Sequence, residues 1–303
     1  MKNIVNRVLC AALLPALLLA GCSRRDEASV GTPANPLVVV LSPAHAPASP
    51  DALVYIQDHL QKATGLSVRV ETAATPAAAI NPFGTGKADA GLITLEEFLV
   101  AREEYGVLPG LQALRGAGLA DYEGVLLARS DGGPKTLADL AGLKVGFVGP
   151  YSVSGFTLPV VYLEKAGVKA EREFSAGHDQ NVKKLLDGQV AAAATYARQA
   201  GKHKGLRVLA VTGRVPNEPV VFRRALAEEK REALKAAFVG LAATREGRKA
   251  LGAVADITGF RPVSAEVYRP LHELLRAEGK SVYDLMPEGW AIHRLNQPYM
   301  QGL

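Results

Sequence analysis

Cysteine is scarce in this chain, which has 2 among its 303 residues. So few cysteines exclude a disulfide-stabilised scaffold and a metal site built from thiolates. Charge of either sign is also not in excess: the net charge is +5, from 35 basic and 30 acidic residues, too little and too scattered to indicate nucleic-acid binding. With 48% hydrophobic residues and no glycine or proline period, disorder and a collagen-like chain are excluded. The length fits about two globular domains.

The N-terminus combines positive charge with a short apolar run. Two basic residues and no acid precede the run over 8–20, which at about 13 residues is shorter than the roughly 20 that span a bilayer. The run ends in Leu-Ala-Gly before Cys22, which resembles the bacterial lipobox. We therefore predict a lipoprotein signal peptide over 1–21 and lipidation of Cys22, for which palmitate is an expected acyl group. A buried cysteine after a core helix is the alternative.

Small and polar residues follow Cys22. The stretch SRRDEASVGTPANP suggests that residues 22–36 form a flexible tether between a membrane and the fold. We expect the protein on the periplasmic side of a bacterial membrane, held by its lipid. Ser23 resembles the outer-membrane sorting preference, but the choice between inner and outer membrane stays open.

The remaining chain alternates strand-like and helix-like segments. Leu37–Leu41 is a continuous apolar run, typical of a buried strand in a parallel sheet. Further strand patterns alternate with amphipathic segments up to about residue 213, and Arg223–Leu251 is strongly helical. This alternation predicts an α/β fold with mainly parallel sheets.

Enzyme motifs are missing where they could be checked. The stretch from Gly149 to Gly155 is not a G-x-S-x-G elbow, and Phe156 stands where a phosphate-binding loop needs lysine. The six histidines show no pair at metal-ligand spacing. We therefore expect no catalysis, no metal and no cofactor.

One segment suits an anion. The strand VGFVG runs into Pro-Tyr-Ser152-Val153-Ser154-Gly155 and then a helix, so that unpaired backbone N–H groups and two hydroxyls meet at a helix start. An ordinary helix cap made by serine is the alternative. A second cluster, SAGHDQN, also lies between a strand and a helix. There His178 can donate to an oxyanion and Asp179 can fix its tautomer, or Asp179 can simply cap the helix beside an exposed histidine.

The order of these motifs resembles a known family. This order is similar to that of the periplasmic binding proteins of phosphonate, phosphite and phosphate ABC importers. It consists of SVSG after one strand, AGHDQNV after the next, and then GQVAAAATY and VPNEP. The resemblance covers about residues 37–275. The family's typical D-P-x-S-T-S-G stretch implies ligand-binding roles for Ser152, Val153, Ser154 and Gly155, with valine replacing the usual threonine. Its A-G-H implies a role for His178.

Two other departures bear on the ligand. Ala191 stands where aminoethylphosphonate binders place an aspartate, which disfavours an aminated ligand because a buried ammonium needs a partner. After the third predicted strand the family often offers a tyrosine to the cleft, whereas this chain has Thr94, Glu97 and Phe98. Glu97 would either face the cleft and repel a dianion or be a solvated helix residue, the second being favoured.

The resemblance implies two α/β lobes of the type II-like periplasmic binding protein fold, with a hinge and an interlobe ligand cleft. Lobe one would comprise 37–122 plus 213–303, and lobe two 123–212. Ser42, Thr94 and Tyr122 would approach the ligand from lobe one or the hinge. The implied function is capture of a small oxyanion for the permease of an ABC importer, by a monomer. The alternative is a sensor lipoprotein that presents the oxyanion to a membrane kinase.

Overall fold

The structure, a computed structural model, describes residues 25–44 and 50–295. The predicted signal peptide and Cys22 lie outside the described residues. Within the described part there are two β-sheets with helices on both faces of each. None of the helices described there has the length and apolar composition needed to cross a bilayer.

Lobe one is built on a six-stranded sheet in the order β11-β4-β10-β3-β1-β2. Parallel pairing joins β2, β1 and β3, and antiparallel pairing joins β3, β10, β4 and β11. Its strands are β1 (Leu37–Leu41), β2 (Val68–Thr72), β3 (Ala90–Leu92), β4 (Leu108–Arg115), β10 (Pro219–Phe222) and β11 (Ile257–Pro262). Its helices are α1 (Pro50–Thr64), α2 (Pro76–Gly84), α3 (Leu95–Tyr105), α7 (Glu228–Ala243), α8 (Arg245–Ala255), α9 (Arg269–Ala277) and α10 (Gly289–Leu295).

Lobe two is built on a five-stranded sheet in the order β7-β6-β8-β5-β9. Here β7, β6 and β8 are parallel, while β5 runs against both β8 and β9. Its strands are β5 (Asp121–Arg129), β6 (Lys144–Val148), β7 (Glu171–Ser175), β8 (Ala192–Tyr196) and β9 (Leu206–Pro216). Its helices are α4 (Leu158–Lys165), α5 (His178–Leu186) and α6 (Arg198–Lys202).

The predicted α/β architecture is confirmed, but the sheets are mixed where the sequence predicted mainly parallel ones. The antiparallel halves are a difference, because the chain enters lobe two along β5 and leaves it along β9, and these two long strands pair with each other. The predicted lobe boundaries at 122/123 and 212/213 fall inside β5 and β9. The division of the chain into those ranges stays a proposal.

Burial follows the layers. On lobe one, α1, α7 and α8 cover one face of the sheet, and α2, α3 and α9 cover the other. On lobe two, apolar residues of α4 fill one face and those of α5 the other. Val153 and Leu158 of lobe two belong to the same apolar cluster as Leu95 and Phe98 of lobe one, so the lobes are in contact.

Residues 25–36 pack on lobe one instead of forming a tether. Asp89, fully buried, accepts hydrogen bonds from Arg25 (2.9 Å), from Arg223 (2.8 Å) and from the amide of Val38 (3.0 Å). Val30 is 2% exposed. The polar composition of this segment suggests flexibility, but its arginine neutralises a carboxylate that no water reaches. Only residues 22–24 of the predicted tether lie outside the described chain.

Candidate functional site

The helix after β6 begins at the boundary between the lobes. A π-helical turn over Val153–Thr157 continues directly into α4, and Ser152 caps it by accepting a hydrogen bond from the amide of Gly155 (3.0 Å). The first amide groups of such a helix have no intrahelical acceptor and attract negative charge. Gly155 is required here, because a Cβ at that position would lie 2.6 Å from the Cβ of Val148.

A carboxylate from lobe one lies near this helix start. Glu96, in the first turn of α3, is partly buried, and its neighbours Leu95 and Phe98 belong to the same apolar cluster as Val153. Burial, with a smaller contribution from the Glu97 carboxylate, raises the pKa of Glu96 to about 7. The start of α3 in lobe one therefore lies close to the helix start in lobe two.

Tyr122 lies beside the same helix start. Ser154, which is buried, lies against Gly124 two residues further along the same strand, and burial followed by the charge of Glu96 raises the pKa of Tyr122. Across Gly124 lies Thr212, whose Oγ1 is buried without a hydrogen-bond partner among the residues described. A Cβ added to Gly124 would lie 2.8 Å from that oxygen and 3.4 Å from the Cβ of Ser154. Three hydroxyl groups thus lie at the helix start on the lobe-two side.

Ser42 and Thr94 are used within lobe one. Thr94 caps α3 through a reciprocal pair of hydrogen bonds with Glu97, at 3.2 Å and 2.8 Å. Ser42 donates to the other oxygen of Glu97 (2.9 Å). Glu97 is 2% exposed, and burial raises its pKa. Glu97 is thus neither a cleft residue nor a solvated one, since the cap of α3 takes one of its oxygens and Ser42 takes the other.

His178 is held as a neutral imidazole. Its Nδ1 lies 2.9 Å from Oγ1 of the fully buried Thr195, and its ring meets the edge of Tyr196 at 4.8 Å between centroids. Burial lowers the pKa of His178 to about 4, although Asp179 opposes the shift. If the Thr195 hydroxyl donates to Nδ1, the proton of the ring is on Nε2. Asp179 takes neither of its predicted roles, because it bonds to Gln199 (2.6 Å) and Gly177 is the cap residue.

A cavity of about 650 Å³ opens beside these groups at the crossing strands. Tyr122, Tyr196 and His178 form one wall, with Tyr122 and Tyr196 edge to face at 6.1 Å. Arg115, Arg198 and Arg214 also line it, and each is paired with a carboxylate. The volume is within the usual range for small-molecule sites. Tyr122 connects this cavity to Ser154 and the helix start.

The predicted site residues are therefore partly assembled. Val153, Ser154 and Tyr122 come together, and His178 joins them through Tyr196, whereas Thr94 and Ser42 are bonded to Glu97 within lobe one. Ser152 makes the capping bond that the sequence left as an alternative, and the Val153 side chain is buried in the interlobe apolar cluster. Glu96, Thr195, Tyr196 and Thr212 were not predicted. Among the residues described, no cluster of three or more metal-ligating side chains forms.

Comparison with known proteins places the chain in a family. Residues 40–268 match the family of ABC transporter, phosphonate, periplasmic substrate-binding proteins. The phosphate-import protein PhnD of Mycolicibacterium smegmatis is 28% identical over 218 residues, which are 65% of this chain and 67% of the relative. Proteins of this family serve transport by binding and are not enzymes.

Solved structures share the fold. PhnD1 of Prochlorococcus marinus in complex with methylphosphonate superposes with a TM-score of 0.61 at 18% identity, over 81% of this chain and 98% of that one. A binding protein component of an ABC phosphonate transporter from Pseudomonas aeruginosa gives 0.58 at 20% identity, over 87% and 89%. The two-lobed architecture is therefore that of periplasmic binding proteins. The chain belongs to the periplasmic substrate-binding proteins of ABC phosphonate transporters.

Proposed function

We propose that this protein captures a small oxyanion of the phosphonate, phosphite or phosphate type between its lobes and delivers it to the permease of an ABC importer. The observation that carries the proposal is that Tyr122 lines the cavity and lies beside Ser154 and the Val153 helix start. Each supplies an N–H or O–H donor without a fixed positive charge, which suits binding followed by release. The phosphate-import relative and the methylphosphonate complex support this class of ligand.

His178 completes the donor set in this proposal. The imidazole is neutral above about pH 4, and if the Thr195 hydroxyl donates to Nδ1, the Nε2–H group is left to offer one hydrogen bond to a ligand in the cavity. A site made of neutral donors recognises an oxyanion by the number of hydrogen bonds that the oxygens of the anion accept. Family membership favours delivery to an importer over presentation to a sensor kinase.

A thermal-shift panel tests the ligand class. The soluble form starting at Ser23 is used, because it keeps Arg25 and its contacts with lobe one. Its melting temperature is measured alone and with phosphate, phosphite, methylphosphonate, aminoethylphosphonate, sulfate or arsenite. A ligand at about 100 times its dissociation constant adds roughly 2.7 kcal/mol to the free energy of unfolding, a shift of several degrees. We expect phosphite or methylphosphonate to shift the melting temperature. No shift with any of the six anions would contradict the proposal.

We further propose that Cys22 carries a lipid. The support is the charged and apolar leader that ends in Leu-Ala-Gly-Cys22. Because Arg25 is bonded to Asp89, two residues separate the proposed lipid from lobe one, a reach of roughly 10 Å when fully extended. Radioactive palmitate should label the full-length protein in bacterial cells and should not label Cys22→Ser. Membrane fractionation then shows which membrane holds the protein.

A further inference from the structure

The cavity is much larger than a small oxyanion needs. Its volume of about 650 Å³ equals that of roughly 20 water molecules at about 30 Å³ each, whereas methylphosphonate is a single tetrahedral group with one methyl. The proposed oxyanion donors that line it, Tyr122 and His178, lie on one wall. A phosphonate held there would leave most of the volume to the group that its phosphorus carries.

The charges that line the cavity balance. Among the residues described, the lining holds three arginines and three carboxylates, which are Arg115, Arg198, Arg214, Asp121, Glu123 and Glu218. Each arginine is within ion-pair distance of a carboxylate, and two of these carboxylates belong to the lining itself. A ligand with a second acid or an ammonium group would have to displace one of these pairs. The lining therefore favours a neutral substituent.

The same lining offers aromatic and apolar surface. The half-buried ring of Tyr196 meets Tyr122 and His178 edge to face, at 6.1 Å and 4.8 Å between centroids. Aromatic groups prefer such edge-to-face or offset contacts with other rings. Leu119 also lines the cavity and is 59% exposed, so that a ligand ring would cover a large apolar side chain.

The turn that carries Leu119 is held in place. Arg115 and Leu119 exchange two backbone hydrogen bonds of 2.9 Å, and the side-chain amide of the buried Asn217 donates to the carbonyl of Leu119 (2.8 Å). Gly116 and Gly118 have φ angles of +54° and +86°, which glycine adopts at little cost. The apolar surface of this turn is therefore a fixed part of the cavity wall.

We propose that the preferred ligands carry a neutral, ring-containing substituent on the phosphonate or phosphate group, and that Tyr196, Leu119 and Ala117 form the subsite for that ring. This inference rests on the proposed function and extends it from the oxyanion to the organic group. The oxyanion takes the donors of Tyr122 and His178, while the ring contacts Tyr196 and covers Leu119.

Calorimetry on the purified full-length protein in detergent tests the substituent. Methylphosphonate, phenylphosphonate, phosphonoacetate and aminoethylphosphonate present the same oxyanion with a methyl, a ring, a second acid or an ammonium group. Burial of the phenyl ring should lower the dissociation constant of phenylphosphonate about 10- to 100-fold below that of methylphosphonate. Phosphonoacetate and aminoethylphosphonate should bind no more tightly than methylphosphonate.

Two variants of the cavity wall locate the ring. The quantity compared is the ratio of the methylphosphonate to the phenylphosphonate dissociation constant, because a change in the oxyanion contacts affects both ligands alike. Ala117 lines the cavity from the exposed turn, so Ala117→Phe should fill the subsite and bring the ratio close to one. Tyr196→Leu, which keeps an apolar side chain and removes the ring, should lower the ratio about 2- to 10-fold.

Tyr55→Leu is the matched control. Tyr55 is half-buried like Tyr196, but it lies on α1 of lobe one, where its hydroxyl is 3.4 Å from that of Thr244. It is not among the described residues that line the cavity. Its ratio of dissociation constants should equal that of the unaltered protein.

The other outcomes separate this inference from the proposed function. Tighter binding of methylphosphonate than of phenylphosphonate would overturn the ring subsite and leave the proposed function intact. Preference for phosphonoacetate or aminoethylphosphonate would show that charged groups of the lining select the substituent, which also overturns it. An unchanged ratio in both Ala117→Phe and Tyr196→Leu would place the ring outside this cavity. No binding of any phosphonate, phosphite or phosphate would overturn both proposals.

Discussion

Replacing Asp89 by alanine tests whether the segment 25–36 is a structural part of lobe one. Asp89 is fully buried, and its two oxygens accept hydrogen bonds from Arg25, from Arg223 and from the amide of Val38. Arg223 keeps a second ion pair with Glu27, at 2.6 Å, whereas the ion pair of Arg25 in the described chain is with Asp89, and the charge of Glu27 acts on it from further away. Asp89→Ala therefore removes the carboxylate that the buried Arg223 and the largely buried Arg25 share.

The expected loss is large. Removing one partner of a buried ion pair costs about 3–5 kcal/mol, because the remaining charge stays desolvated. At this chain length each kcal/mol lowers the melting temperature by about 2–4 °C, so the melting temperature should fall by roughly 6 to 20 °C. Arg25→Ala should cost less, about 1.5–3 kcal/mol, since Asp89 then keeps Arg223.

Thermal unfolding followed by circular dichroism measures both losses. Glu71→Ala is the matched control, because Glu71 forms a carboxylate–arginine pair with Arg69 at 2.5 Å that is half exposed. Such surface pairs contribute about 0–1 kcal/mol. If Asp89→Ala and Arg25→Ala melt within a degree or two of Glu71→Ala, residues 25–36 do not stabilise lobe one. The segment would then be the tether that its composition suggests.

Three further changes test the site. Between pH 7 and pH 4.5 the His178 imidazole should lower the free energy of unfolding by about 2 kcal/mol, because its pKa is about 4 in the folded protein and near 6.5 in the unfolded chain. His178→Gln should lack this loss when urea unfolding is measured at the two pH values. Gly155→Ala should destabilise by about 1–3 kcal/mol and weaken phosphite binding in calorimetry, since its Cβ meets Val148; unchanged binding would contradict the role of the helix start. Tyr122→Phe should weaken phosphite binding several-fold in calorimetry, as it removes a hydroxyl donor from the cavity wall.

Local patterns predicted the parts of the fold that depend on local physics. Leu37–Leu41 reads as a buried strand because helices cover both faces of the sheet, and every residue of β1 is buried. Arg223–Leu251 reads as one helical region, but the structure breaks it at Thr244, whose hydroxyl accepts from the amide of Gly247 (2.9 Å) and starts α8. Threonine followed three residues later by glycine gave little reason to place a break there.

Contacts between distant residues were not predictable in the same way. Arg25 and Asp89 are 64 positions apart, and nothing in the polar stretch after Cys22 indicates that one of its charges is neutralised inside lobe one. The His178–Thr195 pair likewise joins a helix start to a strand end. The sequence spacing predicted the order of the motifs in lobe two. The bonding partner of each side chain in those motifs is set by tertiary contacts, which spacing does not show.

The pair Glu96 and Glu97 shows where the limit lies. Thr94-Leu-Glu-Glu97 fits the capping box S/T-x-x-E, so helix rules alone assign Glu97 to the cap of α3 and leave Glu96 free in the first turn. What those rules do not contain is the opposite lobe, whose Val153 belongs to the same buried apolar cluster as Leu95 and Phe98 of α3. The surroundings of the first turn of α3 are therefore set by the way the two lobes pack, and no local pattern in either lobe predicts them.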